Sequence, residues 1–123
     1  MKPPIDHVRV SAQGREILIK LKRRTGLEHW NELCRVALCR SLANPKPPTI
    51  PSRIAENAID MEWKTFAGAY SSEFSSAILI KARADGVNLA SKEALGEYLR
   101  AHIERGIASL QNVKTLGDLV KQM

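Results

Sequence analysis

A chain of 123 residues with a formal charge of +6 has single-domain length and can bury a modest core. No run approaches the roughly 20 apolar residues of a membrane span, and the opening MKPPIDHVRV has no apolar signal core. A cytoplasmic protein with no membrane role is expected, and the pI of about 9.6 favours acidic partners. The charge is unevenly spread. Residues 1–46 hold ten Lys/Arg, Lys2 among them, against four acids; residues 47–123 hold nine of each. The whole excess therefore belongs to the first third.

In chain order, IDHVRVS alternates, with Val8 and Val10 on one face and His7 and Arg9 on the other, which predicts a short half-buried strand. Ser11 offers an N-cap oxygen. The helix that follows, about 12–25, is expected to bury Gln13, Gly14, Ile17, Leu18 and Leu21, and Gly26 is a natural stop. A second helix, about 28–43, has a core stripe of Trp30, Leu33, Cys34, Ala37, Leu38 and Ser41. NPKPPTIP, 44–51, ends it and links the basic part (1–46) to the neutral part (47–123), within one compact domain. IDMEWKTF alternates again and reads as a second short strand. A third helix over about 71–85, with Phe74, Ala77, Ile78 and Lys81/Ala82 in register, stops at Gly86. Ser91 caps a fourth, with Leu95, Leu99, His102/Ile103, Gly106/Ile107 and Leu110 in its stripe. TLGD, 115–118, has the spacing of a capping box and opens a short last helix.

The fold class expected is mostly α (α+β): a ribbon-helix-helix-like N-terminal unit with additional C-terminal helices, oligomeric. One strand alone leaves its backbone groups without partners. Pairing with the same strand of a second copy would supply them and place Ile5, His7 and Arg9 outward, as in DNA-reading ribbons. The apolar surface of the last helices also favours a homo-oligomer, dimer or tetramer.

The blocks VRVSAQGREILIKLKRRTGLEHWNELCRVALCRSLANPKPP, MEWKTFAGAY and YLRAHIERGIASL, in that order, resemble the DndE family of DNA phosphorothioation proteins. LKRRTG, W-N-x-L-C-R-x-A-L and H-x-x-R-G-I are the most diagnostic segments. The resemblance implies a small cytoplasmic member of the bacterial system that replaces a non-bridging phosphate oxygen of DNA by sulfur. It also implies that other Dnd proteins carry the redox and nucleotide chemistry, while this component is oligomeric and binds double-stranded DNA.

The residues themselves point the same way. KLKRRTG crowds Lys20, Lys22, Arg23 and Arg24 around Leu21, with Arg15 one turn earlier and Arg9 on the strand. Ordinary exposed helices interleave signs; here only Glu16, four before Lys20, supplies a pair. Phosphate contact is expected at Arg9, Arg15, Lys20, Lys22, Arg23 and Arg24, with steep salt dependence and weak base preference. Lacking base-reading geometry, such a surface favours interrupted or bent DNA such as a nicked duplex. A ribbon-helix-helix repressor is an alternative, weakened because Glu28 and Glu32 stand where the second helix would hold phosphate. A protein-interaction adaptor in the same assembly is another.

No catalytic residue, metal or cofactor is expected. Cys34 lies on a core stripe. Cys39, nearly opposite, has Arg35 and Arg40 beside it, which would lower its pKa, but no second thiol is placed to act with it, since a separation of five residues on a helix precludes a bond. Asp60, Glu62 and Lys64 share one face of the second strand and mimic the end of a nuclease motif, yet a solvated face explains them equally. His102 reads as a packed histidine, without a second metal ligand.

Overall fold

Val8 and Val10 face the core from β1 (His7–Ser11), and the partner they need lies in the same chain. In this computed structural model, which describes residues 3–51 and 56–121, β1 pairs antiparallel with β2 (Asn57–Glu62). The register sets His7 opposite Glu62, Val8 opposite Met61, Arg9 opposite Asp60 and Val10 opposite Ile59, with an irregularity at Val10/Ser11. Trp63 N–H continues the ladder to the Asp6 carbonyl at 2.9 Å. The expected inter-subunit ribbon thus loses its premise, because β2 already satisfies one edge of β1 within the subunit. Lys2, counted above with the basic residues, lies outside the described residues.

Ser11 ends β1 and starts α1 (Ala12–Thr25), its Oγ accepting from Gly14 N at 3.0 Å. Gly26, at φ 77°, ends α1 in the left-handed region and returns its N–H to the Lys22 carbonyl. Gln13, expected to be buried, is exposed, and Ile17 is half-buried; the buried line of α1 is Gly14, Leu18, Leu21 and Thr25. The second helix, α2 (Trp30–Leu42), starts two residues later than its pattern suggested, with no side-chain cap.

Alternation misled at IDMEWKTF. The strand stops at Glu62, and α3 (Trp63–Ala67) begins at once, burying Trp63, Phe66 and Ala67 at helical spacing. A 3-10 turn, Gly68–Tyr70, leads into α4 (Ser71–Ala84). There Ser75, Ile78 and Ala82 are buried; Ala77, placed in register by the sequence, faces solvent. Ser91 caps α5 (Lys92–Ser109), accepting from Ala94 N at 3.1 Å. Thr115 Oγ1 accepts from Asp118 N at 3.1 Å at the start of α6 (Leu116–Lys121).

The core is one cluster drawn from both sides of the proline-rich linker, running from Ile5 through Leu33, Leu38, Phe66, Leu99 and Ile107 to Leu119. Its axis is the contact of α2 with α5. Gly106 is required there: a Cβ would stand 1.9 Å from the Ala37 carbonyl oxygen, so only glycine lets the two backbones approach. Arg105 ties the same junction to the linker, donating from Nε to Ser41 Oγ (2.8 Å), from Nη2 to the Ser41 carbonyl (2.9 Å) and from Nη1 to the Lys46 carbonyl (2.9 Å).

Candidate nucleic-acid interface

Burial of Leu18 and Leu21 fixes the roll of α1 and turns Arg15, Lys20, Arg23 and Arg24 to solvent. Gly14, one turn earlier on the buried line, is packed against by Val10 and Glu104, so the helix cannot roll. The expected Glu16–Lys20 pair is not formed. Among the described residues, Arg15, Lys20 and Arg23 meet no carboxylate within 4 Å. They make up an uncompensated cationic strip.

Its flanks are engaged. Lys22 is half-buried, with Nζ 4.1 Å from the centre of the Trp30 ring, a cation–π contact that holds the charge at the edge of the strip. Arg24 Nη1 donates to the Gln111 carbonyl at 3.2 Å and to the Val113 carbonyl at 3.3 Å, which leaves Nε and Nη2 for other partners. Both contacts span nearly ninety residues of sequence, and no local pattern signals them.

Arg9 is differently placed. It lies on the outer face of the sheet, where its Nε donates to Asp60 at 3.2 Å while His7 Nδ1 bonds the other oxygen at 2.9 Å. Slight burial pushes the Asp60 carboxyl upward, but the hydrogen bonds and charges of Arg9 and His7 outweigh it and hold the group below its ordinary value. Of the three side chains expected outward on a ribbon, Ile5 is instead buried in the core, and His7 and Arg9 are both occupied by one carboxylate. Base reading by β1 would first have to break these pairs.

The nuclease-like face does not form. Asp60 is held by Arg9 and His7, and Lys64 sits on α3, off the strand that carries Glu62. Among the described residues no three His, Cys, Asp or Glu side chains converge as a metal would need.

The thiols are no better suited to chemistry. Cys34 is buried, and burial, with the nearby Glu104 charge, pushes it up to about 12. Cys39 is exposed, as the helical pattern placed it. Its pKa nevertheless moves upward, not downward as its arginine neighbours suggested: packing around the sulfur dominates, and Arg35 offsets only part. Arg35 is drawn aside, donating to the Ala67 carbonyl at 3.4 Å and lying 5.8 Å from the Tyr70 ring centre. Arg40 Nε donates to Ser109 Oγ at 2.8 Å. His102 is the packed histidine its stripe predicted, with Nδ1 2.8 Å from Ser41 Oγ.

Two lysines escaped the sequence reading. Lys114 directly follows Val113, whose carbonyl Arg24 holds, and Lys121 closes α6; both are exposed. Their separation from KLKRRTG in sequence hid them.

Among the described residues, no helix is long and apolar enough to cross a membrane. The family profile described as DNA sulphur modification protein DndE matches residues 7–118. The fold is similar to that of DndE from Escherichia coli B7A, a protein involved in DNA phosphorothioation modification. The TM-score is 0.72 at 24% identity, covering 89% of this chain and 98% of that one. A lysine-substituted DndE mutant involved in DNA phosphorothioation gives a TM-score of 0.63, also at 24% identity, with 87% and 97% covered. At that identity the structural likeness speaks for the fold. Comparison with curated proteins yields no match. The family match runs from β1 into α6, and the chain belongs to the DndE family of DNA sulphur modification proteins.

Proposed function

We propose that this member of a DNA phosphorothioation system is a non-enzymatic, cytoplasmic DNA-binding component. It grips the sugar-phosphate backbone of duplex DNA through α1. The observation that carries this reading is the strip of Arg15, Lys20 and Arg23, exposed and without an acidic partner among the described residues. An exposed charge left uncompensated gains little within the fold and much from a polyanion, which releases counterions when it docks. Lys22 and Arg24 border the strip, and Arg9 adds to it only by exchanging Asp60 for a phosphate.

Such a surface positions DNA without reading its sequence. A nicked duplex, which bends at its interruption, presents phosphates from two directions and is the preferred form in this reading. Self-assembly into a dimer or tetramer multiplies the strip. Binding of fluorescent 20-base-pair duplexes, intact and nicked, across a salt series tests the reading. Affinity falling steeply with salt, without sequence preference, supports backbone binding. Salt-independent or absent binding overturns it, and equal affinity for both duplexes removes the nick preference.

One observation favours a second role as an adaptor to the other Dnd proteins. Tyr70 and Ile80, 55% and 71% exposed, stand on the outer side of α4 and the turn before it. Beside them an apolar valley between α2 and α4 is lined by Leu27, Val36, Leu42, Phe74 and Ala77. Exposed apolar area of this kind suits a protein contact, with a second copy or with a partner in the assembly.

A further inference from the structure

We infer that the C-terminal segment 111–121 is a second arm of the polyanion-binding surface, and that Arg24 is the residue that positions it. This rests on the backbone-binding reading of α1 and extends it to residues distant in sequence.

Three observations place the arm. Leu119 is buried at 2% exposure, and α1 is the only described element against which α6 packs. Arg24 Nη1 bonds the Gln111 and Val113 carbonyls, the last turn of chain before α6. The segment is thus fastened to α1 twice, once by each end of the same short stretch. Lys114 follows the carbonyl that Arg24 holds at the C-terminal end of α1, and Lys121 ends α6, the helix that packs on α1; both are exposed.

Charge in the segment supports the role. Asp118 is its one described acid, and one of its carboxylate oxygens is engaged by the Lys114 backbone N–H at 3.3 Å. Neither lysine ammonium meets a carboxylate among the described residues. Arg24 holds the carbonyl next to Lys114 at 3.3 Å, short against the Debye length of about 10 Å at 0.1 M salt, so charge on the segment and at the end of α1 acts on a phosphate backbone as one field. Arg24 itself serves by reach: one terminal nitrogen, Nη1, holds both carbonyls, one bond further along the side chain than a lysine ammonium extends.

The test compares wild type with Lys114→Ala/Lys121→Ala, Arg24→Lys and Lys64→Ala/Arg83→Ala on an intact fluorescent duplex across a salt series. Lys64 and Arg83 are exposed on α3 and α4, which do not touch α6, so their loss removes equal charge elsewhere. The arm predicts that Lys114→Ala/Lys121→Ala flattens the slope of log affinity against log salt by about 1–2 and weakens binding at least about tenfold at 0.1 M salt. Lys64→Ala/Arg83→Ala should change the slope little. Arg24→Lys, with charge unchanged, should still weaken binding and speed amide exchange across 111–121. If the two double variants behave alike, or Arg24→Lys binds as wild type with unchanged exchange, the arm is refuted while α1 binding stands. If wild type shows no salt-dependent binding, the α1 reading falls first and the arm with it.

Discussion

Glu104 on α5 receives both donors of Ser11, the backbone N–H at 2.7 Å and the hydroxyl at 2.9 Å, across 93 residues of sequence. Ser11 Oγ in turn accepts from Gly14 N, so the start of α1 is held by a relay ending in a carboxylate. No acid of its own stands in the first turn of α1; α5 supplies the negative charge its dipole favours. The angle at which α1 presents its cationic strip is set here.

Glu104→Ala should therefore cost about 2 kcal/mol, typical of hydrogen bonds to a charged group. Urea unfolding followed by circular dichroism checks this. Gly14→Ala should also destabilise, although alanine favours helix, because its Cβ would stand 2.7 Å from Val10 Cγ1 and 3.0 Å from Glu104. A gain in stability from Gly14→Ala would show that α1 can roll.

Gly106→Ala is the severe case. A methyl 1.9 Å from the Ala37 carbonyl oxygen must drive α2 and α5 apart, and a loss of at least about 3 kcal/mol is expected. A thermal scan of the purified variant measures it; a melting point within a few degrees of wild type would contradict the contact.

His102 makes stability depend on pH. Burial first, then the Arg105 charge, lowers its pKa from 6.5 to about 4; Asp85 acts the other way, and Lys81 adds a little to the lowering. The ring is also packed edge-on against Tyr98 at 4.6 Å. The folded pKa lies below the unfolded one, so the contribution is fully present above pH 6.5. It is lost as pH falls from 6.5 toward 4, by about 3 kcal/mol over that window. Denaturant midpoints at pH 7 and pH 4.5 should differ more in wild type than in His102→Gln. Equal differences would mean the histidine charges freely in the fold.

The thiols should be sluggish. With Cys34 buried and Cys39 raised by its packing, a thiol reagent near pH 8 should modify one cysteine slowly in the native protein and two after unfolding. Rapid native modification of Cys39 would reopen a sulfur-handling role.

Local signals carried much of this fold. The Ser11 cap, the Gly26 stop and the Val8/Val10 alternation each rest on neighbouring residues, and each is found where the sequence put it. The pairing of β1 with β2 was not legible, because nothing within either strand names its partner some fifty residues away. The same distance hid the carboxylate on Arg9. At Trp63 two patterns overlapped: alternation from the strand ran into the i, i+3, i+4 burial of α3, and the longer pattern masked the shorter. Of the cationic residues, composition and spacing found those on α1. Lys114 and Lys121 needed the tertiary contact that Arg24 makes.

The most direct measurement is the salt dependence of duplex binding by Arg15→Ala/Lys20→Ala/Arg23→Ala beside wild type. If these three residues hold phosphates, the variant should fold as wild type, bind far more weakly and lose about 2–3 from the magnitude of the log–log slope. A folded variant with wild-type affinity and slope would mean that the exposed face of α1 does not touch DNA.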